Sequence, residues 1–229
     1  MKIVLKRFGA YLIDILIVSI IAAVLSNISI INSQLDSYLD VYDDYIKIQD
    51  DYKNEKVDEK EFNHKIENLS YQLNKCSVTA SIISIACLIA YFGIFQYSQN
   101  GKTIGKRLLK LQVVKHDGGD VTLVRSLVRS LILNNILFMV ANVICISVLS
   151  KSAYLNSSKF ISNFELIVQI MILITIVMSN ENRGVHDYIA GTKVIDLKDN
   201  VIEKEEEKKK KKVIDGEIIE KIKEPKNSN

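Results

Sequence analysis

Four long apolar stretches, set between strongly charged ones, limit this chain to few folds. They run over about 8–31, 76–97, 131–149 and 160–178. A helix rises 1.5 Å per residue, so about 20 apolar residues cross the hydrocarbon core of a bilayer, and each stretch is of that length. None contains proline; the single one is Pro225. The chain of 229 residues is 48% hydrophobic yet 25% charged, and segregation of the two kinds reconciles those values. One soluble core does not fit that pattern. The expected fold class is an all-α membrane protein with four transmembrane helices. A cleaved signal peptide is a poor fit to the first stretch, which outruns a 7–15-residue apolar region and carries Asp14.

Basic residues orient the spans. Lys2, Lys6 and Arg7 precede the first, and Lys102, Lys106, Arg107, Lys110, Lys115, Arg125 and Arg129 lie between the second and third. With a Lys-rich tail, this predicts both termini on the cytoplasmic side. The 32–75 connection falls on the other side and is acidic, with almost twice as many carboxylates as lysines. Its apolar residues Leu35, Leu39, Tyr42, Ile46 and Phe62, Ile66, Leu69, Leu73 have helical spacing. An extracytoplasmic helical hairpin is expected there. In LLKLQVVKHDGGDVTLV (108–124), two β-prone runs flank HDGGD, which predicts a short cytoplasmic β-hairpin. The domain division is then 1–195 for the four-helix domain and 196–229 for a charged, disordered tail.

Several chemistries find no support. Cys76, Cys87 and Cys145 form no metal-ligand or disulfide pattern. NGKTIGKRLLK lacks the phosphate-loop spacing, since Gln96 stands where the first glycine belongs and Arg107 where Ser or Thr belongs. Lys102, Lys106 and Arg107 are instead expected among anionic lipid headgroups. His186 and Asp187 are adjacent, so their side chains are expected to diverge; Asp187 is expected to cap a short helix that Gly191 ends. No cofactor, metal, nucleic acid or enzymatic reaction is expected.

Polar residues inside the spans are the stronger clue. A charge near mid-span costs about 2.5–3.5 kcal/mol, so such residues face the bundle, pair, or line a wet cavity. Arg7 and Asp14 share a helix face but lie about 10 Å apart along it, too far to pair. Asn134, Asn135 and Asn142 fall in the third span, with Arg125 and Arg129 at its entrance. Glu165 and Gln169 lie one turn apart in the fourth. The short segment holding Asp187 is the expected partner of both Arg7 and Asp14.

Three motifs together resemble the RDD family of bacterial membrane proteins: R-x-x-A-Y-x-I-D (Arg7 to Asp14), NGKTIGKRLLKLQVV (100–114) and RGVHDYIAGT (183–192). The resemblance covers most of 6–195 and leaves out the acidic insertion and the tail. The family takes its name from one arginine and two aspartates, which fall by position on Arg7, Asp14 and Asp187. The resemblance implies transport or exchange of small ions or solutes; Asp14, set in apolar surroundings by its sequence run, would then trade a proton for a cation. Four spans are few for a transporter, so a homo-oligomer is expected. A membrane-embedded interaction or scaffold protein is the alternative.

Overall fold

The computed structural model describes residues 2–198. Most of the expected tail, 199–229, lies outside the described residues. In chain order the elements are α1 (Lys2–Ser26), α2 (Leu35–Lys53), α3 (Glu59–Cys76), α4 (Val78–Ser98), α5 (Ile104–Leu108), β1 (Leu111–Lys115), α6 (Leu123–Leu133), α7 (Ile136–Val148), α8 (Lys151–Met178), α9 (Val185–Ala190) and β2 (Thr192–Asp196).

Three helices, Ile3–Ser26, Val78–Ser98 and Lys151–Met178, are long and apolar enough to cross a membrane. Leu5, Leu12, Leu16 and Ile20 on α1 are exposed, as are Leu166, Ile170, Leu173 and Val177 on α8. Whole helix faces of this kind suit lipid rather than water. Inside the bundle, Val18, Leu88, Phe92 and Ile136 make one apolar cluster.

The third apolar stretch is not one straight helix. α6 and α7 meet at a bend of 65°, and only as a pair do they match the span expected at 131–149. The break sits at Asn134–Asn135. Asn134 Nδ2 turns back to the Ser130 carbonyl (3.2 Å) and Asn135 adopts a left-handed conformation (φ 55°). Asparagine tolerates both roles because its amide competes with helical hydrogen bonds. α8 begins at Lys151, so the expected 150–159 connection is helical.

Within α4, Ile89–Phe95 is wound as a π-helix. α2 and α3 pack on each other, with Tyr52 and Phe62 stacked at 4.2 Å. The inner stripe of α2 differs from the expected one. Leu35, Tyr38, Val41 and Tyr45 are half-buried and Ile48 is buried, while Leu39, Tyr42 and Ile46 are exposed.

The expected β-hairpin at 108–124 is also corrected. β1 pairs antiparallel with β2, from Leu111↔Asp196 to Lys115↔Thr192. HDGGD does turn, with the Gly118 N–H donating to the Lys115 carbonyl (2.9 Å), but its return leg makes only the Val114↔Asp120 bridge. The reason is local: Thr122 is the N-cap of α6, so no room remains for a strand. The ribbon buries Leu111, Val113, Val121 and Val194 against Ala10 of α1. It needs that support, since two strands alone are marginal. Strand β2 ends at Asp196, one residue past the expected boundary at 195.

Candidate functional site

Asp14 lies on α1 where α5 comes closest, and it is fully buried. Tyr91 Oη of the π-wound turn donates to its Oδ1 (2.7 Å), the Gly105 N–H donates to the same oxygen (2.7 Å), and Thr103 Oγ1 donates to Oδ2 (2.5 Å). Lys106 Nζ stands 3.9 Å from Oδ2. The carboxylate therefore sits among donors, not in the apolar surroundings a sequence run suggests. Its partners come from α4 and the 103–106 segment rather than from the segment of Asp187.

Lys106 is a further correction. It is buried, not spread among headgroups: Nζ donates to Gln96 Oε1 (2.9 Å) and Thr103 Oγ1 (3.3 Å) and lies 5.6 Å from the Phe92 ring centre. Thr103 caps α5 and so turns Lys106 inward. Burial above all, reinforced by the charge of Arg129 and opposed by Asp14, brings its ammonium down to about 7. Lys102 is half-buried and Arg107 is exposed, donating to Gln99 Oε1.

Asp187 is the second fully buried carboxylate, and Arg7 and Arg129 are its partners. Arg7 Nη2 donates to Oδ2 (2.5 Å) and Nη1 to the Asn182 carbonyl. Arg129 Nε of α6 donates to Oδ1 (2.8 Å), as does Thr192 Oγ1 of β2 (3.2 Å). The Gly184 N–H donates to Oδ2 (3.3 Å), so Asp187 caps the start of α9, and Gly191 (φ 61°) ends that helix as expected. Burial would raise the Asp187 pKa, but Arg129, His186 and Arg7 overcome it and hold the group well below the usual carboxylate range. His186 does not diverge from its neighbour. It is fully buried, with Nε2 3.3 Å from Asp187 Oδ2 but off line for a hydrogen bond, and neither ring nitrogen has a hydrogen-bond partner. Burial lowers its pKa.

The other polar residues of the spans are scattered. Asn135 Nδ2 donates to Glu165 Oε1 (3.0 Å), and Gln169 reaches the same oxygen at 3.5 Å. Arg183 donates from Nε to the Thr192 carbonyl (3.0 Å) and lies over the Tyr188 ring. Tyr91, Thr103, Gly105, Arg183, His186 and Thr192 complete the two carboxylate sites. All but Tyr91 stand inside the two later motifs, which was the available signal; Tyr91 had none. Among the described residues, no group of three His, Cys, Asp or Glu could hold a metal ion.

Fold and site define a helical membrane protein with two fully buried, charge-paired carboxylates at one end of its bundle. The RDD family matches residues 3–191, and the chain belongs to that family. Comparison with curated proteins and with solved structures gives no match.

Proposed function

We propose that the chain is a non-enzymatic, four-span protein of a bacterial cell membrane, with both termini cytoplasmic, whose two carboxylates lock the helices of an interaction scaffold. One observation carries this: Asp14 and Asp187 are both fully buried and hydrogen-bonded by several donors. A buried carboxylate held by several donors fixes geometry more readily than it exchanges ions. Contacts at the helix ends support the four crossings. Lys151 at the start of α8 bonds Asn68 of α3 (3.1 Å), whereas Asn182 just beyond its end bonds Arg7. The bent α6–α7 pair thus connects the end of the ribbon to the end of the α2–α3 pair.

The test is the thermal stability of the full chain in detergent. Asp14→Asn leaves the Gly105 N–H and Thr103 facing an amide, and should cost about 3–5 kcal/mol. Stability equal to the parent overturns the lock.

Solute transport is the second reading, favoured by a cavity of about 420 Å³ lined by Arg7, Arg129 and Lys106. Asp14 is not among its lining residues, so flux along this route should fall in Arg129→Gln and survive a folded Asp14 variant. A homo-oligomer accompanies this reading.

A further inference from the structure

The same cavity has a composition that neither carboxylate requires. It lies between the first turns of α1 and the last turns of α8, two helices that pack little on each other. Val4, Ile172 and Ile176 contribute apolar wall. At its rim, Leu5, Phe8, Leu173 and Val177 are exposed, so the opening faces sideways to where lipid would be. A space of this size holds a drug-sized ligand.

Its polar end is cationic. Arg7, Lys106 and Arg129 all line it, and the two guanidinium groups share a single buried carboxylate, Asp187, which leaves one positive charge over. Among the described residues Arg129 spends only Nε on a hydrogen bond, although it is 3% exposed. His186, buried with both ring nitrogens unpartnered, lines the same space. Guanidinium groups with free N–H pairs match phosphate oxygens in a planar, two-bond geometry.

We propose that this cavity binds an anionic amphiphile, a lipid whose phosphate head is held by the free Nη groups of Arg129, with the charge of Arg7 beside it, while its acyl chain leaves between α1 and α8. The site lies at the ends of two spanning helices, the depth at which headgroups reside. A small soluble anion would use the cations but not the apolar walls. The inference rests on the cavity and not on the helix lock, so either can fail alone.

The experiment titrates the purified full chain, in an uncharged detergent, with oleoyl lysophosphatidic acid and reads bound lipid by native mass spectrometry. One molecule should bind, about tenfold or more tighter than zwitterionic oleoyl lysophosphatidylcholine. Inorganic phosphate should not compete at equal concentration. Arg129→Gln should weaken binding about tenfold or more. Because that variant also disturbs Asp187, Leu173→Trp serves as the second: it fills the rim at an exposed position, should weaken binding similarly, and should leave lipid-free stability unchanged. Equal affinity for the zwitterionic lipid, phosphate binding as tightly as the lipid, or full affinity in Leu173→Trp overturns the proposal.

Discussion

Gly105 shows how little room the Asp14 site allows. A Cβ there would stand 2.2 Å from the Ala10 carbonyl oxygen and 3.0 Å from Asp14 Cγ. Backbone cannot swing aside as a side chain can, so α5 would have to lift from α1. Gly105→Ala should cost about 1–3 kcal/mol, read as a lower thermal midpoint in detergent. The titrating residues give a second outcome. A free lysine titrates near 10.5 and buried Lys106 near 7, so between those values the unfolded chain holds a proton the folded one has shed. Stability then rises with pH across that window. His186 acts at lower pH: its folded pKa lies below 6.5, so stability falls as pH drops through that value, and Asp187 adds a loss below about 3.8. The thermal midpoint should climb from pH 4 to pH 10, and Lys106→Met should flatten the rise above pH 7. Arg7, Asp14 and Asp187 could be named from sequence because each sits in a motif. Which groups they meet could not, since Tyr91 lies 77 positions from Asp14 and Asp187 180 from Arg7.

Element by element, the apolar lengths of α1, α4 and α8 were legible because burial in lipid demands little beyond length and absence of charge. The strand pairing was not. LQVVK reads as half of a hairpin, and the partner 77 residues on is as short, so local pattern favours the nearer segment; only the N-cap at Thr122 excludes it. The bend at Asn134–Asn135 was hidden for a related reason, since a run apolar enough to span carries no sign of direction. The ribbon hangs on Gly101, whose carbonyl accepts from the Val113 N–H (2.9 Å). Gly101 has φ 77°, and a Cβ would meet the Val113 carbonyl oxygen at 2.0 Å. Gly101→Ala combines left-handed strain with a backbone clash and should cost roughly 2–4 kcal/mol. Removing β2 by ending the chain after residue 191 uncovers the buried Leu111 and Val113 and removes the Asp196 partner of Lys6. That truncation should aggregate on extraction from the membrane, as gel filtration would reveal.

For the whole molecule, the proposed topology makes its sharpest demand at the bent pair. α7 has 13 residues, about 20 Å of helix, which is short of a hydrocarbon core of about 30 Å. The crossing needs α6 to contribute its last turns, with the 65° bend at the level of Asn134. A re-entrant pair would instead return the chain to the side it left. The two arrangements differ in where α8 begins. With Cys76, Cys87 and Cys145 replaced by serine, single cysteines are introduced at Glu55 between α2 and α3, at Gly118 in the turn after β1, and at the exposed Ser152 near the start of α8. A membrane-impermeant maleimide applied to intact cells should modify Glu55→Cys and Ser152→Cys, and Gly118→Cys only after permeabilisation. Modification of Ser152→Cys together with Gly118→Cys would make α6–α7 re-entrant. α8 would then have to start and end on one side of the membrane. Its unbroken 28 residues, about 42 Å long, could do so only by lying along the surface.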